Sequence, residues 1–145
     1  MSDRTLSALF LGGGDNPLSV SLLFEDEIAG ARRDEYVVTL MIKMPMANVV
    51  LLPKDQYHEG RVMVFLGARD KKGRTSGITQ VAVPIRVPNA ELLTALGQTV
   101  AYRARLVLKK GDYTVAVGVR DELGNVGSTV TAAYVPGRPD TQAGR

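Results

Sequence analysis

The sequence predicts an all-β protein, a Greek-key immunoglobulin-like sandwich of about seven strands with one short helical turn. Three observations lead there. Apolar and polar residues alternate with a period of two over several runs, the mark of half-buried strands. Turn-forming groups such as Lys109-Lys110-Gly111-Asp112 and Asp121-Glu122-Leu123-Gly124-Asn125 break those runs, as they do in sandwiches. Aromatic residues are scarce, with three Phe, five Tyr and no Trp, so the core falls to Val, Leu, Ile and Ala; a chain rich in Val and Thr favours strands over helices.

A chain of 145 residues, 45% of them hydrophobic, suits one domain with its own core. Composition divides it into an N-terminal segment with a Gly-rich loop (1–16), the sandwich (17–136) and a flexible tail or linker (137–145), where GRPDTQAGR offers little to bury. The chain has no cysteine, which excludes a disulfide framework, thiolate chemistry and the usual zinc sites. The apolar stretch near the N-terminus is too short for a signal core or a membrane span. The expectation is therefore a soluble chain without membrane insertion, or a piece of a longer protein whose targeting signal lies upstream.

In order along the chain, Leu6 to Leu11 reads as a possible edge strand before the turn Gly12-Gly13-Gly14-Asp15-Asn16. That glycine run lacks the Gly-Lys-Ser/Thr ending of a phosphate loop. Leu18 to Phe24 is the first clear strand, and Glu25, Asp26, Glu27, Asp34 and Glu35 follow in a charged connection. Their spacing is not that of a calcium loop, whose oxygen ligands alternate around a glycine, so an ordinary solvated loop is expected. Tyr36 to Met44 is apolar on both faces and belongs at the centre of a sheet, with Met41, Met44 and Met46 as core filling. Val49 to Leu52 is a short strand stopped by Pro53.

Arg61 to Asp70, the turn at Lys71-Lys72-Gly73, and Thr79 to Val87 form the next pair of strands, the second an edge because it contains Pro84. That edge invites pairing between copies, blunted by Pro84 and Arg86. Asn89 caps a short helical turn that Gly97 ends, the one helix expected. Val100 to Val135 then supplies three antiparallel strands joined by tight turns.

A hairpin is used twice. Gly60-Arg-Val-Met-Val-Phe-Leu-Gly67-Ala-Arg-Asp70-Lys-Lys-Gly73 aligns with Gly111-Asp-Tyr-Thr-Val-Ala-Val-Gly118-Val-Arg-Asp121-Glu-Leu-Gly124, 51 residues on. In each copy the aspartate bonds its own turn and the glycine three residues later takes positive φ, which accounts for Asp70 and Asp121 without catalysis. Tyr113, after Lys109-Lys110-Gly111-Asp112, has the placement of a tyrosine corner, its hydroxyl tied to backbone upstream.

Read together, NPLSV, the run VAVPIRVPNAELLTALGQTVAYRARLVLKKGDYTVAVGVRDELGNVGSTV and the closing Tyr134-Val135-Pro136 resemble the C-terminal β-sandwich region that follows the von Willebrand factor A domain in VWFA-related proteins of acidobacteria and similar bacteria, most strongly over Leu106 to Ser128. The resemblance implies an exported parent, hence an extracellular or periplasmic location, and a non-catalytic module beside an adhesion-type domain. The A domain and its Asp-x-Ser-x-Ser metal motif are not in this sequence, so no metal-dependent adhesion transfers.

The functional expectation is a structural or protein-interaction module with a protein partner and no catalytic, metal or cofactor residues; the alternative is a carbohydrate- or ligand-binding sandwich. The only histidine, His58, has no nucleophile elbow to serve, so no enzyme is expected. A sugar platform needs exposed aromatics, and Tyr57 is the one tyrosine expected in a loop. Net charge is +3, but the basic residues are scattered, with Lys71, Lys72 and Arg74 the densest group. Without a basic face and stacking aromatics, nucleic acid is not an expected partner.

Overall fold

In a computed structural model, which describes residues 1–12 and 14–137, eight strands form two antiparallel sheets packed face to face. One sheet has the order β1-β2-β6, from β1 (Ser21–Ala29), β2 (Glu35–Pro45) and β6 (Thr99–Lys109). The other is built on β4 (Tyr57–Asp70), which pairs along one edge with β5 (Thr79–Pro88) and along the other with β7 (Tyr113–Asp121). β8 (Val126–Tyr134) lies beyond β7, and the short β3 (Leu52–Lys54) pairs with the start of β4. The all-β sandwich of the sequence reading holds, with eight strands rather than seven.

Alternation builds the core. Val38, Leu40, Ile42 and Met44 of β2 are buried and face Val62, Val64, Leu66 and Ala68 of β4 and Val115, Val117 and Val119 of β7. Each of these Val, Leu, Ile and Met side chains contributes about 1.5–3 kcal/mol by leaving water. β2 is central in its sheet as its two apolar faces predict. Met44 is core, whereas Met41 lies on the outer face and is half-buried.

Four local expectations are corrected. The run before the glycines is not an edge strand but part of a helix, α1 (Ser2–Leu11). Thr5, Ala8 and Leu9 recur at helical spacing and pack on the outer face of β4, β7 and β8, which is why β7 is buried on both faces. β1 runs on through the acidic residues to Ala29, with a bulge between Phe24 and Asp26. β6 and β7 do not form a hairpin: β6 pairs with β2 and β7 with β4 and β8, so the connection at Lys110-Gly111-Asp112 crosses from one sheet to the other. Sequence alternation is blind to that difference, because an arch and a hairpin need the same short turn. The helical turn after Pro88 is present as a 3-10 turn at Asn89–Glu91 and α2 (Leu92–Leu96), but Asn89 does not cap it. Its side chain instead bonds His58 and the Asp55 carbonyl.

The tail expected at 137–145 lies outside the described residues except for Gly137.

Candidate functional site

The two sides of the sandwich are finished differently. On the side of β1 and β8, the Phe24 and Tyr134 rings stack with centroids 4.4 Å apart. The Tyr134 hydroxyl donates to Glu27 Oε1 at 2.6 Å, and the Gly137 N–H donates to Glu27 Oε2 at 2.8 Å. Polar and aromatic contacts close that seam. On the opposite side, β5 and β6 are the edges of their sheets, each paired on one flank only among the described residues. Among the described residues no hydrogen bond or ion pair joins them, and the outward flank of each strand leaves its main-chain groups unpaired.

Between these edges lies a crevice of about 420 Å³, floored by Val64 and Leu66 of β4 and walled by Val81, Tyr102 and Ala104. Val100, Tyr102, Ala104, Leu106 and Leu108 of β6 point inward, as the sequence predicts, and Arg103 and Arg105 point out along its rim. Among the described residues the Tyr102 hydroxyl has no hydrogen-bond partner. An apolar slot bordered by unpaired backbone fits an extended chain, whose main chain would satisfy the edge and whose alternate side chains would enter the slot.

At the β6 end nearer Lys109 the sandwich is strongly cationic. The β4–β5 turn and the β6–β7 crossing enclose a cleft of about 510 Å³ lined by five cations, Lys71, Lys72, Arg74, Lys109 and Lys110, and by two carboxylates, Asp70 and Asp112. Lys110 N–H donates to the Asp34 carbonyl at 2.8 Å, which brings the β1–β2 turn, with Arg32 and Arg33, to the same pole. Lys71 pairs with Asp112, and Arg74 with Asp70 at 2.8 Å; Lys72, Lys109, Lys110, Arg32 and Arg33 have no ion pair among the described residues. Cations that look scattered in the sequence converge because every one of these turns ends at one pole of the sandwich. No linear signal shows that convergence.

Three carboxylates, Asp70 of that cleft among them, have defined structural partners. The bulge in β1 turns Glu25 across the sheet face to Arg103, with contacts of 2.7 and 3.3 Å. The Arg103 hydrogen bond holds the Glu25 carboxyl below its ordinary value, against a smaller upward push from burial, and Glu25 in turn raises Arg103. Burial pushes Asp70 up, but the Arg74 N–H and guanidinium and the Lys72 N–H outweigh it, and the carboxyl lies below its ordinary value. Asp121, 1% exposed, accepts from Leu123 and Gly124 N–H, as its turn requires, and also from Val50 N–H at 2.8 Å. That last bond ties the β7–β8 turn to the segment before β3, a long-range role the sequence does not show. Among the described residues no group of three or more His, Asp or Glu is arranged to hold a metal ion.

Other candidates fall differently from expectation. Tyr57 opens β4, is half-buried, and has the Arg86 guanidinium 3.8 Å from its ring centroid, so the face a sugar would stack on is taken. His58 Nδ1 lies 2.7 Å from Asn89 Oδ1. Tyr113 packs against the core, but its hydroxyl has no hydrogen-bond partner among the described residues; the tied tyrosine is Tyr134. No helix among the described residues is long and apolar enough to cross a membrane.

No family model matches the chain, and no curated protein matches it. Among solved structures it is similar to the structural-genomics target SoR45, at 17% identity and a TM-score of 0.49, over 87% of this chain and 90% of that one. It is also similar to CsgH of R. palustris, at 15% identity and a TM-score of 0.36, over 77% of this chain and 89% of that one.

Proposed function

We propose that this chain is a non-catalytic binding module, an immunoglobulin-like or fibronectin type III-like sandwich that takes an extended segment of a protein partner onto its open side. The observation that carries the reading is the pair of unpaired edges, β5 and β6, flanking an apolar crevice of about 420 Å³ while the opposite seam is closed. Main-chain pairing would supply affinity, and the crevice would select alternate side chains. The Greek-key class is supported by the strand order β1-β2-β6 opposite β5-β4-β7-β8 and by a β6–β7 connection that crosses between sheets. The sequence resemblance over Leu106 to Ser128 supports a place in a larger exported protein. A role without catalysis is supported by His58, whose ring is held by Asn89 rather than set beside a nucleophile.

The test is selection of random twelve-residue peptides displayed on phage against the whole chain. Enriched peptides should alternate apolar residues with a period of two and lose binding to a Tyr102→Lys, Ala104→Lys variant that remains folded. Failure to enrich any sequence, or enrichment indifferent to that variant, would sink the reading.

A further inference from the structure

Resting on that reading, we infer that the segment β6 accepts is acidic, an extended strand whose carboxylates face Arg105 and the cationic pole while its alternate apolar residues enter the crevice. The charge pattern of β6 carries this. Its outward residues are Ala101, Arg103, Arg105, Val107 and Lys109, and β6 contains no carboxylate. Arg103 is committed to Glu25, whereas Arg105 and Lys109 have no ion pair among the described residues.

Residues on a strand added to the free edge sit directly opposite those of β6, at a spacing where unlike charges attract and like charges repel. The same geometry disfavours a second copy of this chain, because β6 paired with itself would set Arg and Lys against Arg and Lys. Ten residues of strand extend roughly 33 Å, enough to follow β6 from Val100 to Lys109. Such a segment ends beside Lys110 and Lys72, two further cations without an ion pair among the described residues. Apolar slot and cationic pole therefore lie along one strand, and a single ligand with acidic and apolar residues in alternation satisfies both.

The probe is a fluorescent, acetylated ten-residue peptide alternating valine or threonine with glutamate; the control replaces glutamate with lysine. Anisotropy should show the acidic peptide binding at least about tenfold more tightly than the control at low salt, with the difference shrinking as salt screens it. Arg105→Glu with Lys109→Glu should reverse the preference. The milder Arg105→Gln should weaken the acidic peptide severalfold, which keeps the test open if the double variant is unstable. Peptide saturation should slow hydrogen exchange at the β6 amides that do not bond β2.

Equal binding of both peptides, or slowed exchange anywhere but β6, overturns the inference. Tighter binding of a single-stranded DNA oligonucleotide than of the acidic peptide, lost on the same charge reversals, overturns it in favour of nucleic acid at the pole. Peptides enriched by display but showing no acidic bias overturn the acidic ligand alone and leave the binding-module reading standing.

Discussion

Leu66 and Val117 face each other across β4 and β7, and they are also equivalent positions of the repeated hairpin, 51 residues apart. The two copies therefore pair antiparallel about a local two-fold axis between those residues. Gly67 and Gly118, one of the three glycine pairs the repeat shares, open toward the outer face where α1 lies. A Cβ on Gly118 would collide with Thr5 Oγ1 and come within 3.1 Å of Met1, and one on Gly67 would lie 2.5 Å from Ile78 and 3.5 Å from Leu9. Gly118 marks the bed of the helix, and Gly67 that of the Gly77-Ile78 segment beside it.

Gly118→Ala is therefore expected to overpack this face, at a cost of about 1–3 kcal/mol, read as a lower midpoint in urea melts. Gly97→Ala, where the nearest atom is the Thr94 carbonyl at 3.6 Å, serves as the control and should change little. Equal effects would mean that α1 does not rest on β7.

How far the sequence was legible follows from which contacts are local. The period of two locates most of the strands because alternation records burial directly, while the two apolar faces of β2 mark it as central and Pro84 marks β5 as an edge. α1 is not legible in the sequence because it is short and part of what ends it comes from elsewhere: Arg69, on β4, donates to the Leu9 carbonyl at 2.6 Å and lies over the Phe10 ring. Both turn aspartates bond their own turns as their spacing predicts, yet at the second hairpin Asn125 rather than Gly124 takes positive φ, at 54°, while Gly73 takes it at the first, at 84°. The open crevice and the cationic pole depend on which turns share an end of the sandwich, and that is fixed by sheet order, not by neighbours in sequence.

Asp121 should matter far more than its repeat partner Asp70. Asp121→Ala leaves the N–H groups of Val50, Leu123 and Gly124 without their acceptor at a buried position, a loss of about 2–3 kcal/mol. Asp121→Asn retains one oxygen acceptor and should lose less. Asp70→Ala should fall well below either, since its turn is solvated. Chemical denaturation of the three variants ranks them, and an equal loss at Asp70 and Asp121 would contradict the tie to Val50.

The two tyrosines separate cleanly. Tyr134→Phe removes a hydroxyl that donates to Glu27 from a residue 4% exposed, and should cost about 1 kcal/mol or somewhat more. Tyr113→Phe removes a hydroxyl with no hydrogen-bond partner among the described residues and should stay within roughly 0.5 kcal/mol. The reverse ranking in thermal or urea melts would restore Tyr113 as the corner residue.

Glu25 and Asp70 give stability a dependence on acid. Both carboxyls lie below their ordinary values in the folded chain, so the unfolded chain binds protons first as pH falls. Their contribution is fully present above the ordinary carboxylate range and is lost as pH drops through the depressed folded values. The Glu25 pair is exposed, and the Asp70 carboxylate, though 17% exposed, meets a guanidinium that is 74% exposed, so the effect should be modest and should shrink further in high salt. Carbon-detected titration of the Glu25 side chain is the direct measurement. In Arg103→Gln its midpoint should rise toward the ordinary glutamate value, because the guanidinium hydrogen bond is the largest cause of the depression, while the Asp70 midpoint stays where it was. A Glu25 midpoint unmoved by that substitution would mean that the ion pair across the outer face of β1, β2 and β6 does not persist in solution, and Arg103 would then join Arg105 as a cation free to meet a partner strand.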